Sequence, residues 1–271
     1  MGDCVIIKFG GGLITNKAKM CTPDLPVIQS LVDVVADCIA TGIKVIVVHG
    51  AGSYGHLRAK HWKLNEGNLA NYNFTPQDDC NSQKQAIKLV RKEMLTLNSL
   101  IVEAFDKRGI KTLVKPPHQW ARNTGSSFLG NISEQFNVVD SDVVITFGDV
   151  VSCDVGEFGI LSGDDLVVRL CQEISNVKRL VFAIRGVDGI LKKPPALATR
   201  EDLIEKWSPE VQFSGVHNAD IDVTGGIGLK ARRGAEVASG GVKVFIINGE
   251  YPQRIFDACI GLPTIGTEIV A

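Results

Sequence analysis

His49-Gly-Ala-Gly-Ser-Tyr-Gly-His56 decides how the rest of this chain is read. Residues 43–48, apolar apart from Lys44, lead straight into it and read as a buried strand. A strand that runs into Gly50, Gly52 and Gly55 releases its backbone amides at the rim of a sheet. Glycine accepts positive φ and lets a ligand come close to the main chain, so such amides can form an anion-binding nest. His56 closes the stretch where it can touch a bound anion. The first candidate ligand is a phosphate.

A second cluster repeats the arrangement. Val5-Ile-Ile-Lys-Phe9 is a strand carrying one lysine, followed by Gly10, Gly11 and Gly12 and then by Lys17. A lysine in a buried strand needs a partner, because an unpaired buried charge is costly. The alternative is an edge strand whose lysine snorkels to water. A bound polyphosphate accounts for the lysine and the glycines together. Neither cluster has the Gly-x-x-x-x-Gly-Lys-[Ser/Thr] form of a Walker A loop. No Gly-x-Gly-x-x-Gly follows the first strand, which argues against a dinucleotide fold.

Further along, strand and glycine recur: 143–147 before Gly148, 180–184 before Gly186, and 242–247 before Gly249. Helical patterns lie between them. Ile28, Leu31, Val35 and Ile39 line one face, behind a start at Thr22-Pro23. Ile87, Val90, Met94, Leu97 and Ile101 line a second, and residues 229–238 form a third. Apolar strands alternating with helices predict a parallel sheet covered on both faces. Ligands of such sheets bind beyond the carboxyl ends of the strands, where these glycines fall.

The 271 residues, 45% hydrophobic and 22% charged, suit one large α/β domain or two tightly joined ones. A net charge of −1 excludes a general nucleic-acid surface. Seven scattered cysteines without a Cys-x-x-Cys pair point to reduced thiols in the cytoplasm rather than to disulfides or zinc. No signal-peptide pattern and no run of transmembrane length is present, so a soluble protein without a membrane partner is expected.

Four more segments follow strands or open helices: Gly148-Asp149-Val-Val151, Ser162-Gly-Asp164, Val187-Asp188-Gly189 with Lys192 beyond it, and Asp222-Val-Thr-Gly-Gly226 with Lys230. Glycines and a threonine before a helix present free N–H groups and the positive dipole end to an anion.

Together these stretches, with Ile14-Thr-Asn-Lys17 and Ile247-Asn-Gly249, resemble the amino acid kinase superfamily and, within it, the isopentenyl phosphate kinases. The likeness runs from residue 4 to about 267. The histidine that closes the eight-residue motif narrows the subfamily. The resemblance implies an α/β fold, a three-layer αβα sandwich with a mainly parallel central sheet, and a homodimer. It also implies a single domain over 1–271, in which about 1–170 binds the acceptor and dimerises and 171–271 binds the nucleotide. The implied reaction is ATP-dependent phosphorylation of isopentenyl phosphate to its diphosphate, with Mg2+. By motif, Lys8 and Lys230 neutralise the ATP phosphates and the transferring group, Lys17 lies near the γ-phosphate, Asp164 orients the lysines, and His56 holds the acceptor phosphate. Gly10, Gly11, Gly12, Asp188, Gly189, Lys192, Gly225 and Gly226 would contact the nucleotide. Ala51, Gly52, Gly55, Gly148 and Asp149 would contact the acceptor.

The chain departs from the family pattern in places. Gly12 stands where many members have serine, and Arg185-Gly186 replaces Thr-Asp before Val-Asp-Gly. An isoprenoid tail needs an apolar slot, for which Leu89, Met94 and Leu97 are candidates that would serve equally well as core. The polar stretches 57–82 and 115–137 read as substrate loops or as plain surface. Two alternatives stay open: a polar phosphate or phosphonate acceptor, as in the fosfomycin kinases, and a non-catalytic nucleotide-binding regulator.

Overall fold

Strand β1 (Cys4–Phe9) is buried along its whole length and lies between two parallel neighbours. The chain, here as a computed structural model, is described for residues 2–16, 18–76, 80–137, 141–210 and 226–271. In chain order β1 is followed by the single turn α1 (Gly11–Ile14), α2 (Leu25–Ala40), β2 (Lys44–His49), α3 (His56–His61), α4 (Gln83–Asp106) and β3 (Thr112–Val114). Next come α5 (Ile132–Phe136), β4 (Val143–Phe147), β5 (Asp149–Ser152), β6 (Phe158–Leu161), α6 (Gly163–Glu173) and β7 (Val177–Ile184). The remaining elements are β8 (Lys206–Trp207), α7 (Ile227–Ala238), β9 (Lys243–Asn248), α8 (Pro252–Ile260) and β10 (Thr267–Ile269).

The described residues build an eight-stranded sheet in the order β3-β4-β2-β1-β7-β9-β10-β8. Every neighbouring pair is parallel except β9 and β10. Both faces of β1 are covered, which is why it reads as a nearly unbroken apolar run. Val5, Ile7 and Phe9 belong to a core shared with α2, α4 and α8. Successive strand side chains point to opposite faces, so Cys4 and Ile6 join the other core, against α6 and α7. Lys8 falls on that second side, beside the start of α6. These three layers are the αβα sandwich expected from the sequence.

Local chemistry sets the helix starts. Asp24 caps α2 by accepting from the Val27 amide at 3.3 Å, so this helix begins after Asp24 rather than at Thr22-Pro23. Ser162 caps α6 through the Asp165 amide at 3.1 Å. Gly148-Asp-Val-Val151 follows β4 as expected. It turns out of β4 and opens the antiparallel β5–β6 hairpin, a separate two-stranded sheet over the rim. All seven cysteines are free thiols. Among the described residues, no helix is long and apolar enough to cross a membrane.

Candidate active site

The carboxyl ends of β1, β2 and β7 open into a cavity of about 580 Å3. Its floor is cationic. The Lys8 ammonium, only 5% exposed, bonds to one oxygen of Asp164. Lys230, from α7, reaches the other oxygen at 3.3 Å. Burial drags the Lys8 pKa down to about 8 against the pull of Asp164, while Lys230 pushes it the same way as burial. For Asp164 burial acts upward, but the two ammonium groups outweigh it and hold the carboxyl below its usual range. At neutral pH the trio carries two positive charges and one negative. The surplus of one charge faces the cavity. The snorkelling alternative for Lys8 is excluded, because β1 is central and its lysine is paired.

Two glycine turns form the rim. Gly10, Gly11 and Gly12 follow β1, and Gly50, Ala51 and Gly52 follow β2; all six line the cavity. The turns touch backbone to backbone: a Cβ on Gly11 would stand 2.3 Å from the Gly52 nitrogen, and one on Gly52 2.4 Å from the Gly11 oxygen. Gly52 also has φ of +53°, a region that side chains avoid. Thr15 locks the contact by donating to the Gly11 carbonyl at 2.7 Å and accepting from the Ser53 amide at 3.0 Å. The first amides of α1 have no partner within the helix, so Gly11 and Gly12 can offer theirs to a phosphate.

His56 is the first residue of α3, exposed and part of the cavity wall. Beyond it the lining turns apolar: Leu57 and Ala59 from α3, Val90 and Met94 from α4, Val150 and Ile160 from the hairpin. Of the three residues expected to form a slot, Met94 lines it. Leu97 packs in the core against α2, and Leu89 lies at the edge of the cluster beneath the hairpin. Val150 and Ile160 face each other in the hairpin register. The turn-forming Asp154-Val-Gly-Glu157 between two apolar runs was the signal for them. The stretch 57–82 is thus not uniformly polar surface: its first residues form the apolar wall.

Gly55, Gly148 and Asp149 also line the cavity. The Asp149 carboxylate is fully committed, however. It accepts from the His118 amide at 3.0 Å, from the His118 ring at 2.6 Å and from the Val150 amide at 2.8 Å. Its role is to tie the segment around His118 to the hairpin base. Gly226 and Lys230 line the cavity beside Ile184, Arg185 and Val187. Arg185 was not expected there; its guanidinium donates to the Leu13 carbonyl at 2.8 Å and pairs with Asp24.

Three expected nucleotide contacts fall outside the lining formed by the described residues. Asp188 bonds Arg254 at 2.6 Å. Gly189 is pressed against Thr267, where a Cβ would come within 2.4 Å of the hydroxyl. Lys192 is held to the carbonyls of Asp202 and Glu201. These are packing and turn contacts, which Asp-Gly sequences make as readily as ligand contacts. Lys17 and Gly225 lie outside the described residues.

Residues 3–248 match the Amino acid kinase family, and the chain belongs to that family. It is 30% identical over 258 residues to the isopentenyl phosphate kinase of Thermoplasma acidophilum, covering 93% of this chain and 95% of that one. To the isopentenyl phosphate kinase of Methanothermobacter thermautotrophicus it is 26% identical, with 98% of each chain covered. The structure of the T. acidophilum isopentenyl phosphate kinase product complex superimposes with a TM-score of 0.73 at 27% identity, covering 98% of this chain and 99% of that one. The UMP kinase of Ureaplasma parvum, at 14% identity and TM-score 0.60 over the full length of both chains, shares the fold.

Proposed function

We propose that this chain is an ATP-dependent kinase that phosphorylates isopentenyl phosphate to isopentenyl diphosphate. The observation that carries the reading is the junction at His56. A cation-floored phosphate site on one side of it continues into a slot walled by Leu57, Ala59, Val90, Met94, Val150 and Ile160 on the other. A phosphate head and a short hydrocarbon tail fit that sequence of environments. A polar acceptor would leave its hydrogen-bonding groups against those apolar walls, which disfavours the phosphonate alternative. The intact set of Lys8, His56, Asp164 and Lys230 speaks for catalysis over a regulatory role.

Phosphoryl transfer asks for positioning and charge neutralisation more than for covalent help. An acceptor phosphate has its second pKa near about 6 and is largely ionised at neutral pH, so it attacks without a strong general base. The task is to bring two anions together. Lys8 and Lys230, fixed by Asp164, neutralise the transferring group, and the amides of Gly11, Gly12 and Gly52 surround it. His56 donates to the acceptor phosphate in either protonation state. Lys17 is assigned to the γ-phosphate by its motif alone. The first 170 residues or so supply the acceptor wall, and the remainder supply the nucleotide side. The protein is read as a cytoplasmic homodimer, which light scattering on the purified chain would test.

Mg2+ fits as an ion carried by the nucleotide. The described residues hold no cluster of three metal-binding side chains, and Asp149 and Asp164 are both engaged by other groups. Mg2+ commonly takes its ligands from substrate phosphates and water. When bound it would supply positive charge to neutralise the nucleotide phosphates.

The test is ADP release with Mg-ATP against isopentenyl phosphate, dimethylallyl phosphate, fosfomycin and several polar phosphates. Turnover confined to the prenyl phosphates supports the reading. Turnover only with a polar acceptor keeps the chemistry and replaces the substrate.

A further inference from the structure

The two walls of the apolar slot start together at the phosphate end and run side by side away from it. One descends from His56 through Leu57 and Ala59 to the fully buried Trp62 and Leu64. The other follows the hairpin from Asp149 and Leu161 through the facing pair Val150 and Ile160 to the tip at 155–157. They meet where Gly67 lies against Gly156. A Cβ on Gly67 would stand 2.8 Å from the Gly156 oxygen, and the two residues have φ of +77° and +76°. The Asn68 amide donates to the Gly156 carbonyl at 2.9 Å, and its side chain donates to Glu157 at 2.8 Å.

Both sides of this contact are anchored to α4. The buried Gln83 amide group donates to the carbonyls of Trp62 and Gly67 at 2.9 and 3.0 Å, and its oxygen accepts from the Leu69 amide at 3.0 Å. On the other side, Arg91 donates twice to the Val150 carbonyl, at 3.0 and 2.7 Å. From the Val150–Ile160 pair to the Ser152–Phe158 pair is two residues, about 7 Å of strand. Trp62, Leu64 and Phe158 fill the space over that interval.

We propose that the Gly67–Gly156 clasp determines acceptor specificity by fixing the length of the slot. This rests on the prenyl phosphate reading above. A longer tail meets a packed plug of Trp62 and Leu64, and room for it opens only if the hairpin tip swings outward. That swing must break the Asn68 bonds and part the two glycines. The clasp touches neither the lysines nor His56, so it governs which acceptors fit and leaves the transfer step alone.

The experiment compares kcat/KM for isopentenyl and geranyl phosphates in the wild-type chain, Gly67→Ala and Asn68→Ala. The geranyl-to-isopentenyl ratio should rise at least tenfold in Gly67→Ala and severalfold in Asn68→Ala, with KM for ATP unmoved. An unchanged ratio in variants that melt cooperatively overturns the clasp, and if Gly67→Ala does not fold, Asn68→Ala decides. Should the wild-type chain turn over neither prenyl phosphate, the acceptor reading falls and the clasp's role with it. Turnover of isopentenyl phosphate beside an unmoved ratio removes the clasp alone.

Discussion

Lys8 and Asp164 stand 156 positions apart in sequence and are bonded inside the protein, the lysine at the end of β1 and the aspartate in the first turn of α6. With Lys230 on its other oxygen, Asp164 holds both ammonium groups in place before any substrate arrives. Such preorganised charge costs no rearrangement as negative charge shifts in the transition state.

Removing Lys8 should therefore act on turnover. Lys8→Met is expected to lower kcat by roughly 10²- to 10³-fold, the scale seen when one preorganised charge-stabilising group is lost. Nucleotide binding, followed by calorimetry, should persist through Lys230 and the glycine turns. Wild-type kcat in this variant would remove Lys8 from the transfer step.

His56→Ala should separate the two substrates. A hydrogen bond to a charged group contributes about 1.5–3 kcal/mol, so KM for the acceptor should rise roughly ten- to a hundredfold. KM for ATP should stay within about twofold. Equal losses for both substrates would show that His56 shapes the whole site and does not hold the acceptor.

Acceptor preference should distinguish two neighbouring residues of α4. Met94 lines the slot and Leu97 does not. Met94→Ala should shift relative kcat/KM toward bulkier prenyl phosphates. Leu97→Ala should leave that preference alone and cost about 2–5 kcal/mol of stability, as large-to-small core changes do. An unaltered preference in Met94→Ala would make Met94 plain core.

Lys8 also sets a limit on the alkaline side. With its pKa drawn down to about 8 by burial, the free enzyme loses the working charge as pH rises through that value. The plot of kcat/KM against pH should bend downward there. The kcat plot should bend at higher pH, because bound polyphosphate favours the ammonium form. Coincident limbs in the two profiles would assign the bend to another group.

On the acid side the sensitive group is His49. Burial lowers its pKa from 6.5 to about 4, and its ring packs 4.8 Å from that of Phe147. Between those values the unfolded chain binds a proton that the folded chain refuses, so stability falls as pH falls through the window. The contribution is present above 6.5 and lost by about 4, at most about 3 kcal/mol. Denaturant melts at pH 7 and 4.5 should show a smaller acid loss in His49→Phe than in the wild type, and equal losses would refute the assignment.

How much of this was legible in the sequence follows from what each residue type can signal. Strands buried on both faces print themselves as apolar runs, and the glycines after them mark the rim; β1, β2, β4, β7 and β9 were readable for that reason. The short strands β3 and β8 at the sheet edges, and β10 beside β8, offer two or three residues each, too few for a period. Lys8, His56, Asp164 and Lys230 stood out because a charge beside a glycine turn is unusual. Asp188 stood out just as clearly, yet it pairs with Arg254 outside the cavity lining formed by the described residues, and Asp-Gly marks a turn whatever its purpose. The Asp149–His118 pair joins positions 31 apart across irregular chain, where periodicity carries no information. The apolar slot was half visible: Met94 sits on a helical stripe, but Val150 and Ile160 needed the hairpin to bring them face to face.

The central sheet has a mechanical consequence. From Val5 to Phe9, β1 is in unbroken register with both β2 and β7, and these strands carry the cavity-lining turns at 50–52 and at 185–187 respectively. The halves flanking β1 therefore form one stiff plate with no crease between them, and swinging one against the other would tear a ladder of hydrogen bonds. Any tightening around the substrates falls to parts mounted on that plate, above all the hairpin, while Lys8 at its centre serves as the fixed point against which they move.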